Sequence, residues 1–400
     1  AVVVSHAHLD HCGLVPFLFK YGYDGPVYCS APTSSLMTLL QLDYLDVASK
    51  QGIIPPYDQK DVRECVLHTI PLRYGVVTDI APDIRLTLHN AGHILGSAII
   101  HLHIGEGLHN IVYTGDYKSV RTTLLEAATS EFPRVETLIT ESTYGGPDDV
   151  MPSRSEAEER LARVINETLE KKGKVLIPVP AVGRAQEIML ILDGYMKRGI
   201  IKEAPVFIEG MISEATAIHT AYPEYLGRDV RNSILRDGVN PFESDYFTIV
   251  EHPSDRQSII EGEPCIVLAT SGMLEGGPVI EYFKNLAEDE RNLIIFVSYQ
   301  IEGTLGRRVQ KGINEVTMID NEGKMTVVKV RMRVESIEGF SGHSDRKQIM
   351  TYITNLKPKP ERIIVCHGEK AKILSIANLI EKKLGISTIT PSIMETTRLL

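Results

Sequence analysis

A chain of 400 residues that is 43% hydrophobic can bury a large core, and its length predicts about two domains in a soluble globular protein. Its net charge of -10 excludes a protein that coats nucleic acid non-specifically, because backbone binding of that kind needs many Lys and Arg. Any nucleic-acid contact must therefore be local. No apolar run reaches the length of a membrane span, no secretory signal is read, and Cys12, Cys29, Cys65, Cys265 and Cys366 stand singly without a CxxC pair. The expected address is a reducing one, the cytoplasm, with no membrane partner.

The chain opens on AVVVSHAHLDH, where Val2 to Val4 read as a buried strand and Ser5 as its end. His6, His8, Asp10 and His11 then fall in the loop leaving that strand. Imidazole and carboxylate are donors that zinc takes, and a loop can converge them on one point. A lone histidine is usually an ordinary polar residue; four such donors within six positions point to metal. His6 and His8 can serve one ion while Asp10 and His11 turn to a second. A start at Ala1, directly on a strand and without Met, reads as an N-terminally truncated fragment.

Cys12 to Tyr21 carries helical spacing, residues 26–30 read as a strand, 34–48 as a longer helix, and GIIPPYDQK as a loop. The runs 84–104 and 110–116 read as strands separated by glycine turns. His93 lies in one such turn between Gly92 and Gly96, where small residues allow close backbone approach to a ligand, and Asp116 ends the next run. The ordinary readings are a turn histidine and an Asp that bonds its own turn. His89, His101, His103 and His109 lie nearby and read as surface or core histidines; His68, His219 and His252 read as structural. Residues 133–146 form another strand, ending in Glu141, Ser142 and Thr143.

The composition then changes. Ser153 and Glu156 form a capping box ahead of a helix closed by Gly173. Strands at 174–180, 204–210, 265–271 and 292–299 alternate with helices at 184–198 and about 278–287, which implies a parallel sheet covered on both faces, hence a second domain. Gly183 and Arg184 sit at a strand-to-helix turn where backbone N–H groups and a guanidinium can face an anion. Ser271 and Gly272 open a second glycine-rich turn, and Arg307, Arg308 and Lys311 form a local basic cluster. Each turn alone is ordinary; together they read as contacts to a phosphate backbone. Residues 315–337 read as β-hairpin material. His343 stands at the start of a helix capped by Ser344 or Asp345, and His367 ends a buried strand at 361–370.

In order along the chain, HAHLDH, AGHILGS, TGDYK, ESTYG, GRAQE, SGHSD and CHGE resemble the motifs of the metallo-β-lactamase nucleases that carry a β-CASP insertion. The likeness is closest to the archaeal homologues of the cleavage and polyadenylation specificity factor, with bacterial ribonuclease J more distant. The resemblance implies an α/β fold, a metallo-β-lactamase αββα sandwich, N-terminally truncated, formed by residues 1–145 and 337–400. An inserted β-CASP parallel α/β domain would occupy 146–336. It implies that His6, His8 and His93 bind one Zn2+, that Asp10, His11 and His367 bind a second, and that Asp116 bridges them. Asp10 and Asp116 would thereby be catalytic residues too, with His343 as general acid and Glu141 orienting it. The implied function is zinc-dependent hydrolysis of single-stranded RNA, as an endonuclease and a 5′ to 3′ exonuclease, in RNA 3′-end processing or transcription termination. Gly183, Arg184, Ser271, Gly272, Arg307, Arg308 and Lys311 would hold the RNA. Implied partners are a second copy of the chain, RNA polymerase and other processing factors.

Two departures stand out. The family's domain begins with several strands before the histidine loop, and the archaeal relatives carry N-terminal KH-type RNA-binding domains; both are missing from this sequence. A small-molecule metallo-hydrolase sharing HxHxDH would leave the second domain unexplained. A non-catalytic RNA-binding subunit would not be expected to keep every ligand.

Overall fold

The computed structural model describes residues 1–319 and 324–399, and the chain divides into two compact units. The first comprises Ala1–Val150, Glu224–Arg228 and the chain from Gly342 on; the second comprises Met151–Pro223 and Asp229–Ser341.

The first unit is built on two sheets. Strands Val2–Val3, Val27–Ser30 and Thr69–Leu72 pair in parallel in that order. The other sheet has seven strands, ordered Ser387–Ile389, Arg362–Val365, Thr137–Thr140, His109–Tyr113, Ala98–Ile104, Ile84–Asn90 and Val77–Ala81. The first four of these are mutually parallel, and each later strand is antiparallel to its neighbour. Side chains alternate across a strand, so Leu86, Leu88, Ala98 and Ile100 face one way and pack with Val3 and Tyr28 of the smaller sheet. Ile99, Val112 and Leu138 face the other way, into a core closed by helices Arg346–Asn355 and Lys370–Leu384 through Ile349, Ile353, Ile376 and Ile380. Helix Ala31–Lys50 covers the smaller sheet, touching Val27–Ser30 and Thr69–Leu72. The layers run helix, sheet, sheet, helix. Each fully buried Leu or Ile stabilises by roughly 1.5–3 kcal/mol, and a register slip of one residue would exchange Leu88 for His89, so the pattern of the strands holds the register.

The second unit holds a six-stranded sheet in the order Phe247–Ile249, Val206–Glu209, Ile266–Ala269, Val175–Pro178, Leu293–Phe296 and Arg333–Ser336, parallel throughout. Val175–Pro178, Ile266–Ala269 and Leu293–Phe296 are buried along their whole length, as strands covered on both faces must be. Helix Arg154–Glu170 starts at the expected capping box: Ser153 accepts from the Glu156 N–H, and the Glu156 carboxylate accepts from the Ser153 N–H. Helix Arg184–Lys197 follows Gly183, whose φ of +81° favours a residue without Cβ.

Three local expectations change. Asp10 and His11 lie in a short helix, Leu9–Cys12, and not in an open loop; the helical turn presents both on consecutive positions beside His8. The segment GIIPPYDQK ends as helix Gln59–Leu67, because Asp58 accepts from the N–H groups of Lys60 and Asp61 while Asp61 bonds back to the Asp58 N–H. Within 315–337, Glu315–Ile319 and Met325–Lys329 do pair antiparallel, and residues 320–323 of that expectation lie outside the described residues. Arg333–Ser336, however, does not join them and pairs in parallel with Leu293–Phe296. Alternation marks a strand but carries no information about its partner. Among the described residues, no helix is long and apolar enough to cross a membrane.

Candidate metal centre

The site is assembled at strand ends of the first unit. His6 and His8 follow Val2–Val3, Asp116 follows His109–Tyr113, Glu141 follows Thr137–Thr140, and His367 follows Arg362–Val365. His93 lies in the turn between Ile84–Asn90 and Ala98–Ile104, and His343 just before helix Arg346–Asn355, whose N-cap is Asp345. The glycine at that first turn has a different use from the one expected: a Cβ on Gly92 would lie 2.6 Å from the Glu126 carbonyl oxygen, so neighbouring backbone, and not a ligand, needs the space.

Asp116 is the hub. Its Oδ2 lies 3.5 Å from His6 Nε2, 3.3 Å from His11 Nε2 and 3.8 Å from His93 Nε2, and its Oδ1 lies 3.3 Å from His367 Nδ1. His93 Nε2 is 3.1 Å from His8 Nδ1, His11 Nε2 is 3.1 Å from His367 Nε2, and His367 Nε2 is 3.4 Å from Asp10 Oδ2. Two groups of donors result, His6, His8, His93 and Asp116, and Asp10, His11, Asp116 and His367, each with its ligand atoms within 4.8 Å of one another. Next to them the two carboxylate oxygens of Glu141 lie 3.0 and 2.9 Å from His343 Nδ1.

Surrounding groups orient these rings. The Gly342 carbonyl lies 2.9 Å from His93 Nδ1 and so holds an N–H there, which leaves Nε2 as the bare nitrogen turned to Asp116. Ser5 Oγ lies 3.1 Å from His6 Nδ1. The Tyr117 N–H donates to Glu141 Oε1 at 2.8 Å, and the buried Lys118 ammonium donates to the His343 carbonyl at 2.7 Å. None of these supports was read from the sequence. Most act through backbone atoms, which every residue carries and no motif marks.

Burial drives the imidazoles of His6 and His93 well below their ordinary range and that of His8 to about 4, so all three are neutral donors at neutral pH. Burial also pushes the Asp116 carboxyl up, but the hydrogen bond with His11 and the surrounding imidazoles outweigh it and hold Asp116 well below the carboxylate range. For Asp10 the same contest, with His367 as the hydrogen-bond partner, ends at about 2. The bond to Asp10 raises His367 to about 9. Burial lowers His343, yet the Glu141 carboxylate beside it prevails and holds that imidazole above its ordinary value.

The residues fit a divalent cation. His6 Nε2 and Asp116 Oδ1 are buried and make no hydrogen bond. Leaving a buried polar atom so costs roughly 1–3 kcal/mol, and a cation among these donors would satisfy both. Imidazole nitrogens with carboxylate oxygens are a donor set suited to zinc.

Four of the other histidines have ordinary partners, while His89 Nε2 is buried without a hydrogen bond among the described residues. His101 Nε2 lies 2.9 Å from the Arg134 carbonyl, His103 Nδ1 2.8 Å from Asn110 Oδ1, His109 Nε2 2.9 Å from Thr137 Oγ1 and His219 Nδ1 2.7 Å from the Ala215 carbonyl. In the second unit, the turn carrying Gly183 and Arg184 and that carrying Ser271 and Gly272 follow adjacent strands, and a Cβ on Gly272 would meet Pro180 at 2.6 Å. Helix Leu305–Gln310 joins them, since the Gly306 N–H donates to the Met273 carbonyl. Among the described residues, Lys311 pairs with Glu302 at 2.8 Å and Arg307 with the same carboxylate at 3.4 Å, while Arg308 is exposed.

Two packed sheets flanked by helices thus carry histidines and carboxylates, gathered at their strand ends, as a candidate metal centre. A metallo-β-lactamase superfamily domain model matches residues 1–143, a β-CASP domain model 185–309, and the model of a Zn-dependent metallo-hydrolase RNA specificity domain 327–391. The chain belongs to the metallo-β-lactamase superfamily, in the group that carries a β-CASP domain. It is similar to archaeal proteins named transcription termination factor FttA. Identity is 58% over 399 residues for those of Methanothermobacter thermautotrophicus and Methanocaldococcus jannaschii, and 56% over 401 residues for that of Pyrococcus horikoshii, with 100% of this chain covered each time. The chain spans 63% of the length of the first two relatives and 61% of the third.

Proposed function

We propose that this chain hydrolyses phosphodiester bonds of single-stranded RNA with two bound zinc ions, acting in the cytoplasm in transcription termination or RNA 3′-end processing. The observation that carries the reading is the pair of donor groups sharing Asp116, with the Glu141–His343 pair beside them. His6, His8 and His93 would hold one zinc and Asp10, His11 and His367 the other, with Asp116 common to both. When bound, such a pair of ions supplies a water nucleophile at neutral pH and offsets charge on the phosphate.

The chain's own residues supply the rest. Glu141 accepts from His343 Nδ1, favours the imidazolium and leaves Nε2 to give its proton to the leaving oxygen. Tyr117 and Lys118 fix that pair from the backbone side. The protonated His367 and the Asp10 carboxylate form a pair whose proton is released when a cation is taken up. Gly183, Arg184, Ser271, Gly272, Arg307, Arg308 and Lys311 would hold the RNA backbone, giving modest base preference. On this reading residues 1–145 with 337–400 are the metallo-β-lactamase domain and 146–336 the β-CASP domain. Internal cleavage and 5′ to 3′ degradation, self-association, and partnership with RNA polymerase or processing factors extend it. The name of the relatives supports termination as the process, and the match to an RNA specificity domain favours RNA over a small-molecule substrate.

The test is His343→Ala. It is expected to keep wild-type zinc content and to lose about 10²- to 10⁴-fold in cleavage of labelled single-stranded RNA, the usual contribution of general acid catalysis. Full activity in that variant would remove His343 from the mechanism.

A further inference from the structure

His367 stands on backbone that few side chains adopt, with φ at +48°. The segment directly after Glu141 holds it there. The Ser142 N–H donates to the His367 carbonyl at 3.0 Å, and the Ser142 hydroxyl donates to the Cys366 carbonyl at 2.8 Å. Gly368 packs so closely that a Cβ on it would lie 2.7 Å from Ser142 Oγ. One residue on, Thr143 Oγ1 lies 3.2 Å from His367 Nδ1.

We infer that Ser142 and Thr143 are positioning residues for His367, and that the Thr143 hydroxyl, by accepting from the N–H on Nδ1, leaves Nε2, on the side of Asp10 and His11, as the nitrogen that ligates. Filling of the second zinc position then depends on Thr143, and filling of the first does not. The inference rests on the two-zinc reading above.

The geometry separates the two candidate partners of Nδ1. Asp116 Oδ1 is 3.3 Å away but makes no hydrogen bond, whereas Thr143 Oγ1 is aligned to make one. On the opposite side of the ring, His11 Nε2 and Asp10 Oδ2 both approach Nε2, at 3.1 and 3.4 Å. A ligating imidazole needs a lone pair on one nitrogen and a hydrogen on the other, so the group that accepts from the second selects the first. In the first position the equivalent contacts to His93 and His6 come from the Gly342 carbonyl and Ser5, neither of which involves Thr143.

The experiment is equilibrium dialysis of zinc against a competing chelator for the wild type, Thr143→Val and Thr143→Ser, with thermal melting of each. Val keeps the shape and removes the hydroxyl; Ser keeps the hydroxyl. Thr143→Val is expected to hold one zinc as tightly as the wild type and to bind the second about 10- to 100-fold more weakly, the usual loss on removing such a partner. Thr143→Ser is expected to recover most of that loss. Wild-type affinity for both ions in Thr143→Val, or equal weakening of both, would overturn the inference. A wild type that takes up fewer than two ions per chain would overturn the two-zinc reading and this inference with it, and that failure shows before any variant is made.

Discussion

Glu141 is within 3.0 Å of His343 through both of its carboxylate oxygens and is almost wholly buried, so its charge acts on that imidazole with little screening. Glu141→Gln keeps the shape and an acceptor but removes the charge that favours the imidazolium. Cleavage is expected to fall about 10- to 100-fold with zinc content unchanged; an unaltered rate would leave Glu141 with a purely structural part. A different histidine contributes a pH-dependent part of the stability. His219 is buried in helix Ile212–Ala221, and burial pushes its imidazole down to about 4. The unfolded chain takes up that proton near its ordinary value of about 6.5, so between those two values the unfolded state binds more protons than the folded one. The stability is therefore complete above the unfolded value and is lost as pH falls toward the folded one. Melting curves of His219→Leu at about pH 7 and about pH 5 are expected to differ less than those of the wild type. An identical difference would show that His219 titrates as freely in the fold as outside it.

Helix Leu305–Gln310 and the turn before it decide how much positive charge the cluster of Arg307, Arg308 and Lys311 offers. Glu302 draws Arg307 and Lys311 toward itself, so the cluster that looks trivalent in the sequence presents chiefly Arg308. Glu302→Gln should release both side chains, tighten binding to single-stranded RNA at low salt and steepen its salt dependence; weaker binding in that variant would place the RNA elsewhere. This pairing also illustrates what a sequence conceals. Strands and helices with strong periodicity were legible, among them the buried run at 175–178 and the capped helix after Ser153. Helix Gln59–Leu67 was hidden behind paired prolines, although Asp58 and Asp61 mark its start. The partner of Arg333–Ser336 could not be read, because a period of two says which face a residue takes and nothing about which strand lies alongside.

Across the whole molecule, the site gathers residues from both ends of the chain: His343 meets Glu141 across 202 positions, and His367 meets His11 across 356. The HxHxDH run was legible by spacing alone, since its donors are neighbours in sequence. His93 and Asp116 were candidates at strand ends that an ordinary turn reading also covered, and the roles proposed for His343 and His367 come from the ordered motifs of the family, because the second unit intervenes in sequence between them and the donors they meet. Thr143 and Lys118, which hold the site from behind, lie inside the motifs ESTYG and TGDYK, but no feature of the sequence assigned either a role. The most direct test of the account is cleavage of a 5′-labelled single-stranded RNA by this chain beside the double variant Asp10→Ala, His11→Ala, with zinc quantified in both. Zinc-dependent cleavage is expected of the wild type, and loss of both the activity and about half of the zinc is expected of the variant. Cleavage that survives in the variant, or a wild type that binds zinc and leaves RNA intact, would contradict the two-zinc reading.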